Sequence, residues 1–259
     1  MSLLKSSEEL DLMRIAGGLV AEAFDRVVVP MIAPGISTEQ IDHAVRDWVQ
    51  GHDAELIFFQ YRGFPAYTCI SVNEEIVHGI PSERLLEAGD MVTVDIGLRK
   101  DGFCGDSART FEVGEVEASA TRVRLCCEQA LQAGIDAAQP YRPLEDVSRA
   151  IQERIEQDGL HVIKKFVGHG IGREMHEEPQ VPNFVAPGRP ERILEPGMVL
   201  AIEPMVAEKS GEVDTLDDGW TVVASDGGFT AHCEHTVAIT AEGPEILTRT
   251  RNRDSDSPA

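Results

Sequence analysis

Asp95, Asp106, His169, Glu203 and Glu234 stand at strand-like positions in this chain and together offer four carboxylates and one imidazole. The first two belong to residues 92–106, where apolar residues alternate with others ahead of Asp101-Gly102. Both residues of that dipeptide tolerate positive φ, so it fits a two-residue hairpin turn. With Asp101-Gly102 as the loop, Lys100 faces Phe103, Gly97 faces Asp106 and Asp95 faces Ala108. The two aspartates are then diagonal neighbours on one face, roughly 7–8 Å apart at the backbone, which lets two carboxylates share a cation. Without one, paired anions in an apolar hairpin would repel and resist desolvation.

The remaining donors sit in unusual company. Gly168-His169-Gly170-Ile171-Gly172 follows a strand-like run, and glycines flanking a histidine let backbone approach a ligand closely. Glu203 ends the apolar run Ala201-Ile202 and precedes Pro204. In His232-Cys233-Glu234-His235 a period of two puts His232 and Glu234 on one face and Cys233 and His235 on the other. Taken singly, a histidine beside glycine is an ordinary loop residue and a strand-end glutamate is solvated. Taken together, bridging carboxylates with one nitrogen donor suit two divalent first-row ions better than a structural zinc site, which wants Cys and His. Calcium would accept the same oxygens, but no EF-hand loop is present. His78 and His176 precede turn chemistry and can reach a cleft. His43, His52 and His161 receive no role, and Glu177 and Glu178 read as a solvated acidic face.

These donors must be carried by elements. Apolar spacing predicts a helix over residues 8–29, ending at Pro30, and a second from Ser37, where Gln40 completes a capping box and Ile41, Ala44, Val45, Trp48 and Val49 form a stripe. Strand-like runs follow at 56–59, 68–72, 92–98 and 107–113. The order then restarts with helices at 118–138 and 144–157. Aligning 34–41 with 140–147 superposes Ile41 on Val147, Val45 on Ile151 and Val49 on Ile155, a duplicated helix-helix-sheet unit. Strands of the second unit are expected at 161–167, 198–206, 219–224 and 231–239. The halves, about 8–115 and 118–245 within one domain over 1–248, would share one continuous sheet with a cleft between them. Residues 249–259 are polar and expected to be disordered.

The 259 residues, 42% hydrophobic, supply ample core. Lys+Arg 23 against Asp+Glu 45, a formal net charge of -22, argues against nucleic acid or an anionic membrane as partner. No apolar run suits a signal peptide or a membrane span, so a cytoplasmic protein is expected. The Cys 5 total, without a Cys-x-x-Cys pair, fits reduced thiols.

Over nearly its whole length the chain resembles the type I methionine aminopeptidases. The shared motifs are Ile32-x-Pro34-Gly35, Asn73 to His78-Gly79-Ile80-Pro81, Asp95, Gly102-Phe103-x-Gly105-Asp106, Gly168-His169-Gly170-Ile171-Gly172, His176-Glu177-x-Pro179, Ile202-Glu203-Pro204-Met205 and Glu234-His235-Thr236. The resemblance implies an α+β pita-bread fold, with pseudo-symmetric halves around a central curved antiparallel sheet. It implies removal of the initiator methionine from nascent chains with a small second residue, by metal-hydroxide attack on the scissile carbonyl. Asp95, Asp106, His169, Glu203 and Glu234 would hold two divalent ions (Co, Mn, Fe, Zn or Ni), with Asp106 and Glu234 bridging and Glu203 doubling as proton shuttle. His176 would stabilise the oxyanion and His78 would contact the substrate amide. Tyr61, Phe64, Cys69 and Trp220, with His78 and His176, would form the substrate pocket. The expected partners are nascent N-termini near the ribosome, met by a monomer. His232, where glutamine is common, Cys104, where histidine is common, Met175, and the bulky Phe58 and Phe59 depart from the family. Rival functions are a Pro-directed aminopeptidase or dipeptidase of the same fold, and a non-catalytic pita-bread binding protein.

Overall fold

A computed structural model describes residues 3–188 and 190–250; of the expected disordered tail, 251–259 lie outside these. The first helix, Ser7–Ala23, starts at a capping box in which Ser6 and Glu9 satisfy each other's backbone N–H groups. It does not stop before Pro30. A wide π turn over Phe24–Val28 leads into a last α turn, Val29–Met31. Proline is tolerated near the start of a helical turn, where its missing N–H is not required. The helix Thr38–Gln50 begins at Ser37 with the expected box. The third and fourth long helices are Ala118–Ala137 and Leu144–Gln157.

The aligned stripes behave alike. Ile41, Val45 and Val49 are fully buried in one helix, as are Val147, Ile151 and Ile155 in the other. Their cap residues also correspond, since Ser37 bridges Leu85 and Pro143 bridges Ile193. Each helix pair covers its own core. The first is packed with Val20, Phe24, Ile41, Val45, Ile70, Val94 and Ile96, and the second with Val123, Leu131, Val147, Ile151, Leu200, Ile202 and Val237.

All strand pairs are antiparallel, but they form four ladders rather than one unbroken sheet. The hairpin Met91–Lys100 with Phe103–Glu112 has the expected register, Gly97 opposite Asp106 and Asp95 opposite Ala108. Cys69–Val72 pairs on its outer side, placing Cys69 opposite Asp95. A five-stranded ladder runs Gly243–Ile246, His235–Thr240, Val199–Ile202, Gly168–Gly170, Glu177–Val181. A third ladder sets Met205–Ala207 between Thr230–His232 and His161–Val162. In the fourth, Val222–Ala224 lies between Val213–Thr215 and Glu75–Val77.

Between the hairpin and the second half, individual bonds replace a ladder. Glu234 donates its N–H to the Ala108 carbonyl at 2.9 Å, and the Ser107 hydroxyl donates to the Glu234 carbonyl at 2.6 Å. Thr236 Oγ1 accepts from the Asp106 N–H and donates to the Asp106 carbonyl. Buried backbone groups at the seam are thereby satisfied without strand pairing. The same bonds fix Asp106 against Glu234. No helix among the described residues is long and apolar enough to cross a membrane.

Candidate metal centre

One cavity of about 300 Å³ collects every site residue named from the sequence. Asp95, Asp106, His169, Glu203 and Glu234 line it together with Tyr61, Phe64, Cys69, His78, His176 and Trp220, and Cys69 lies opposite Asp95 across paired strands. Donor atoms of Asp106, His169 and Glu234 lie within 4.8 Å of one another. Glu203 Oε1 is 3.5 Å from His169 Nε2.

The backbone explains this convergence. The hairpin supplies both aspartates on one face, and His169 sits opposite Ala201 in the neighbouring strand, which ends one residue before Glu203. The glycines beside His169 also have a packing role. A Cβ on Gly168 would fall 2.3 Å from the Ala201 carbonyl oxygen, and one on Gly170 only 2.1 Å from that of Glu178. They admit the adjacent strands. His169 Nδ1 is 2.9 Å from the Gly170 carbonyl, which can only accept, so Nδ1 carries the proton and bare Nε2 faces the carboxylates.

Burial makes the cluster electrostatically unfavourable on its own. Desolvation and neighbouring carboxylates push Asp95 and Glu234 well above the usual range, and Glu203 likewise through burial and then Asp106. Desolvation takes Asp106 to about 7. It also holds His169 at about 3, with a smaller contribution from His176, so the ring is neutral. Asp95 Oδ1, Asp106 Oδ1 and Glu234 Oε1 are buried without hydrogen-bond partners among the described residues. Unsatisfied, crowded oxygen donors beside an unprotonated imidazole nitrogen are what a divalent cation relieves.

At the rim, Tyr61 Oη is 3.0 Å from His176 Nδ1, and the His176 and His169 rings lie 4.2 Å apart. If the phenol donates, neutral His176 keeps its proton on Nε2. Burial and then the nearby Arg62 charge lower the pKa of His176. His78 adopts a φ of 60° and is held at about 4 by burial, with His176 contributing less. Phe64 meets Trp220 edge-on at 5.2 Å.

Arg62, Val77, Phe166 and Val167 also line the cavity and were not singled out from the sequence, and Met205, quoted only as the end of a shared motif, lines it too. Phe166 carried a signal as an apolar residue close to a motif; Arg62, in a loop, carried none. Among the departures, Phe58, Met175 and His232 line the cavity. Phe59 instead stacks on Tyr67, and the Cys104 thiol donates to the Arg173 carbonyl. His232 is buried, its Nε2 3.8 Å from Glu203 Oε2, with neither ring nitrogen hydrogen-bonded among the described residues. Glu177 is not part of a solvated face, because Lys5 Nζ pairs with it at 2.7 Å and both side chains are largely covered. All five cysteines are free and buried.

A two-core antiparallel fold enclosing a carboxylate and imidazole cluster is the architecture of a metal-dependent hydrolase. The model of metallopeptidase family M24 matches residues 11–241, and the chain belongs to that family. A methionine aminopeptidase of Clostridium perfringens is 46% identical over 248 residues, covering 96% of this chain and 99% of that protein. Methionine aminopeptidase 1 of Bacillus subtilis is 43% identical over 249 residues, covering 96% of this chain and all of that protein. The crystal structure of a methionine aminopeptidase from Thermotoga maritima superposes with a TM-score of 0.92 at 41% identity, covering 95% of this chain and 98% of that one. A Xaa-Pro dipeptidase from Bacillus anthracis shares the fold at a TM-score of 0.74 and 22% identity, and this chain covers 62% of it. The fold is therefore the pita-bread architecture, and divalent metal use comes with the family.

Proposed function

We propose that this chain removes a single N-terminal methionine from polypeptides whose second residue is small. The observation that carries this is one cavity lined both by the packed group of Tyr61, Phe64, Cys69 and Trp220 and by the carboxylate cluster, with Cys69 opposite Asp95. A thioether side chain packs well on aromatic faces, and an α-amine is held where anionic and metal-binding groups converge.

Asp95, Asp106, His169, Glu203 and Glu234 would hold two divalent first-row ions. When bound, such ions supply a coordinated nucleophile at neutral pH and Lewis acidity toward the scissile carbonyl. Burial and the neighbouring Asp106 raise the pKa of Glu203 in the metal-free chain; with the cations bound it would be ionised, and as a carboxylate it would take the proton of the attacking water and return it to the leaving amine. With the Tyr61 phenol donating to Nδ1, His176 would present Nε2–H to the developing oxyanion. His78, neutral and lining the same cavity, would bond the substrate amide. Nascent N-termini are the substrates that fit this reading.

The test is a Met-X-Ser-Lys peptide panel read by mass spectrometry, with Leu-Ala, Ala-Pro and acetyl-Met-Ala controls and a chelated sample. Gly, Ala, Ser, Cys, Thr, Pro and Val at X should be processed, Lys, Glu and Leu refused, and the chelated enzyme silent. Preference for Ala-Pro over Met-Ala would favour a Pro-directed peptidase, and cleavage of acetyl-Met-Ala would refute anchoring through the amine.

A further inference from the structure

We propose that Arg62 reads the substrate beyond the scissile bond, pairing with a carboxylate side chain on its third residue. This rests on the aminopeptidase reading and adds a specificity determinant to it. The lining of the cavity is acidic at its floor, and Arg62, exposed at the rim, is the one Lys or Arg among the described lining residues. In a chain with Asp+Glu 45 against Lys+Arg 23, most arginines among the described residues find a carboxylate, Arg122, bonded to the Asp158 carbonyl, and Arg249, bonded to Gln132, being others that do not. Arg14, Arg84, Arg109, Arg124 and Arg154 are all paired at 3.1 Å or less. Arg62 has no carboxylate within 4 Å among the described residues.

The backbone holds it there at a cost. Arg62 has a φ of 51°, between Gln60 at 63° and Gly63 at 93°, in a turn closed by the Gln60 N–H on the Phe64 carbonyl at 2.8 Å. Left-handed conformations in non-glycine residues are unfavourable, and concentrate where a side chain must be aimed. A solvated arginine would need no such turn. The guanidinium lies 5.4 Å from the Tyr61 ring centroid, and a stacked guanidinium keeps its edge N–H groups free for a bidentate carboxylate.

Reach agrees with the third residue. His176, placed at the scissile carbonyl, is 3.0 Å from Tyr61 Oη, and the guanidinium lies 5.4 Å from the same tyrosine's ring. A substrate that continues along the turn carrying Tyr61 and Arg62 advances roughly 7 Å in two extended residues and brings its third side chain toward the cation. The net charge of -22 repels acidic peptides, and Arg62 offers the local exception.

The experiment compares Met-Ala-Asp-Ala-amide, Met-Ala-Asn-Ala-amide and Met-Ala-Lys-Ala-amide on the metal-loaded enzyme, with Met-Ala-Ala as free acid and as amide. Wild type should favour Asp over Asn about threefold to fivefold in kcat/KM, mainly through KM, with Lys poorest and the ratio shrinking as KCl rises. Arg62→Gln should bring the Asp/Asn ratio to about one, and Arg62→Lys should keep part of it. An Asp/Asn ratio of one in wild type, or one that survives Arg62→Gln, overturns the proposal. So does an advantage confined to the free-acid tripeptide, which would assign Arg62 to the chain terminus. Failure to cleave even the Asn peptide would instead remove the aminopeptidase reading, and the proposal with it.

Discussion

At the scale of single residues, the site is a set of groups in protonation states that water would not allow them. Carboxyls titrate near pH 4 in an unfolded chain, whereas burial raises Asp106 to about 7, and burial with the neighbouring carboxylates holds Asp95, Glu203 and Glu234 well above their usual range. Between those values the native state keeps protons that the unfolded state has released, so stability falls as pH rises through the window. Chelated protein should therefore melt several degrees lower at pH 7.5 than at pH 5, and a saturating divalent ion should close the difference. Calorimetry checks this; a chelated melting temperature that climbs over the same range would mean another group neutralises the cluster. Asp106→Ala should lose bound metal and nearly all turnover, read by elemental analysis beside peptide cleavage. His176→Ala should keep its metal yet lower kcat by roughly 10²–10³-fold. Tyr61→Phe, which removes only the bond that sets the imidazole's tautomer, should cost on the order of tenfold. An effect of His176→Ala on KM alone would make that histidine a binding group.

At the scale of elements, the first helix lies against the hairpin where glycines meet. A Cβ on Gly105 would fall 2.9 Å from the Gly17 nitrogen and 3.0 Å from the Ala16 carbonyl carbon, whereas one on Gly18 meets nothing within 4 Å. Gly105→Ala should cost about 1–3 kcal/mol by overpacking and disturb Asp106 next to it. Gly18→Ala should gain up to about 1 kcal/mol from helix propensity. At roughly 2–4 °C per kcal/mol for a chain of this size, thermal melts separate the two, and equal shifts would show that the helix slides freely on the hairpin. The hairpin was legible in advance because a turn dipeptide and a period of two agreed on a single register. The capped helices were legible for the same reason, local chemistry and periodicity pointing one way. The path through Pro30 was not, because a π turn leaves no local signature. Gly168 and Gly170 have a packing role that periodicity could not show, since the carbonyls that forbid a Cβ there, of Ala201 and Glu178, are brought close only by strand pairing. Arg62 was missed because its importance comes from its position beside Tyr61 in folded space. The split of the sheet into ladders was equally hidden, being decided by Ser107, Thr110 and Thr236 hydroxyls that bond across the seam.

At the scale of the molecule, a formal net charge of -22 on 259 residues sets a balance between self-repulsion and local pairing. Helix surfaces are laced with i,i+4 pairs such as Arg149 with Glu145 and Arg154 with Asp158, each contributing only a few tenths of a kcal/mol. Pairing cannot be complete, because carboxylates outnumber cations almost two to one. The residual repulsion acts over distances that salt screens, as the Debye length drops from about 30 Å at 0.01 M to about 8 Å at 0.15 M. The melting temperature of the metal-loaded protein should accordingly rise with potassium chloride, most of the gain arriving below about 0.3 M. Screening also weakens the surface pairs, but a net excess of one sign makes the repulsive part larger. The chelated protein should show the steeper rise only if its buried carboxylates ionise at the working pH, so the comparison belongs at pH 7.5 rather than pH 5. A melting temperature that is flat below 0.3 M and increases only near molar salt would trace the gain to general strengthening of apolar burial, and would show that surface charge does not limit stability here.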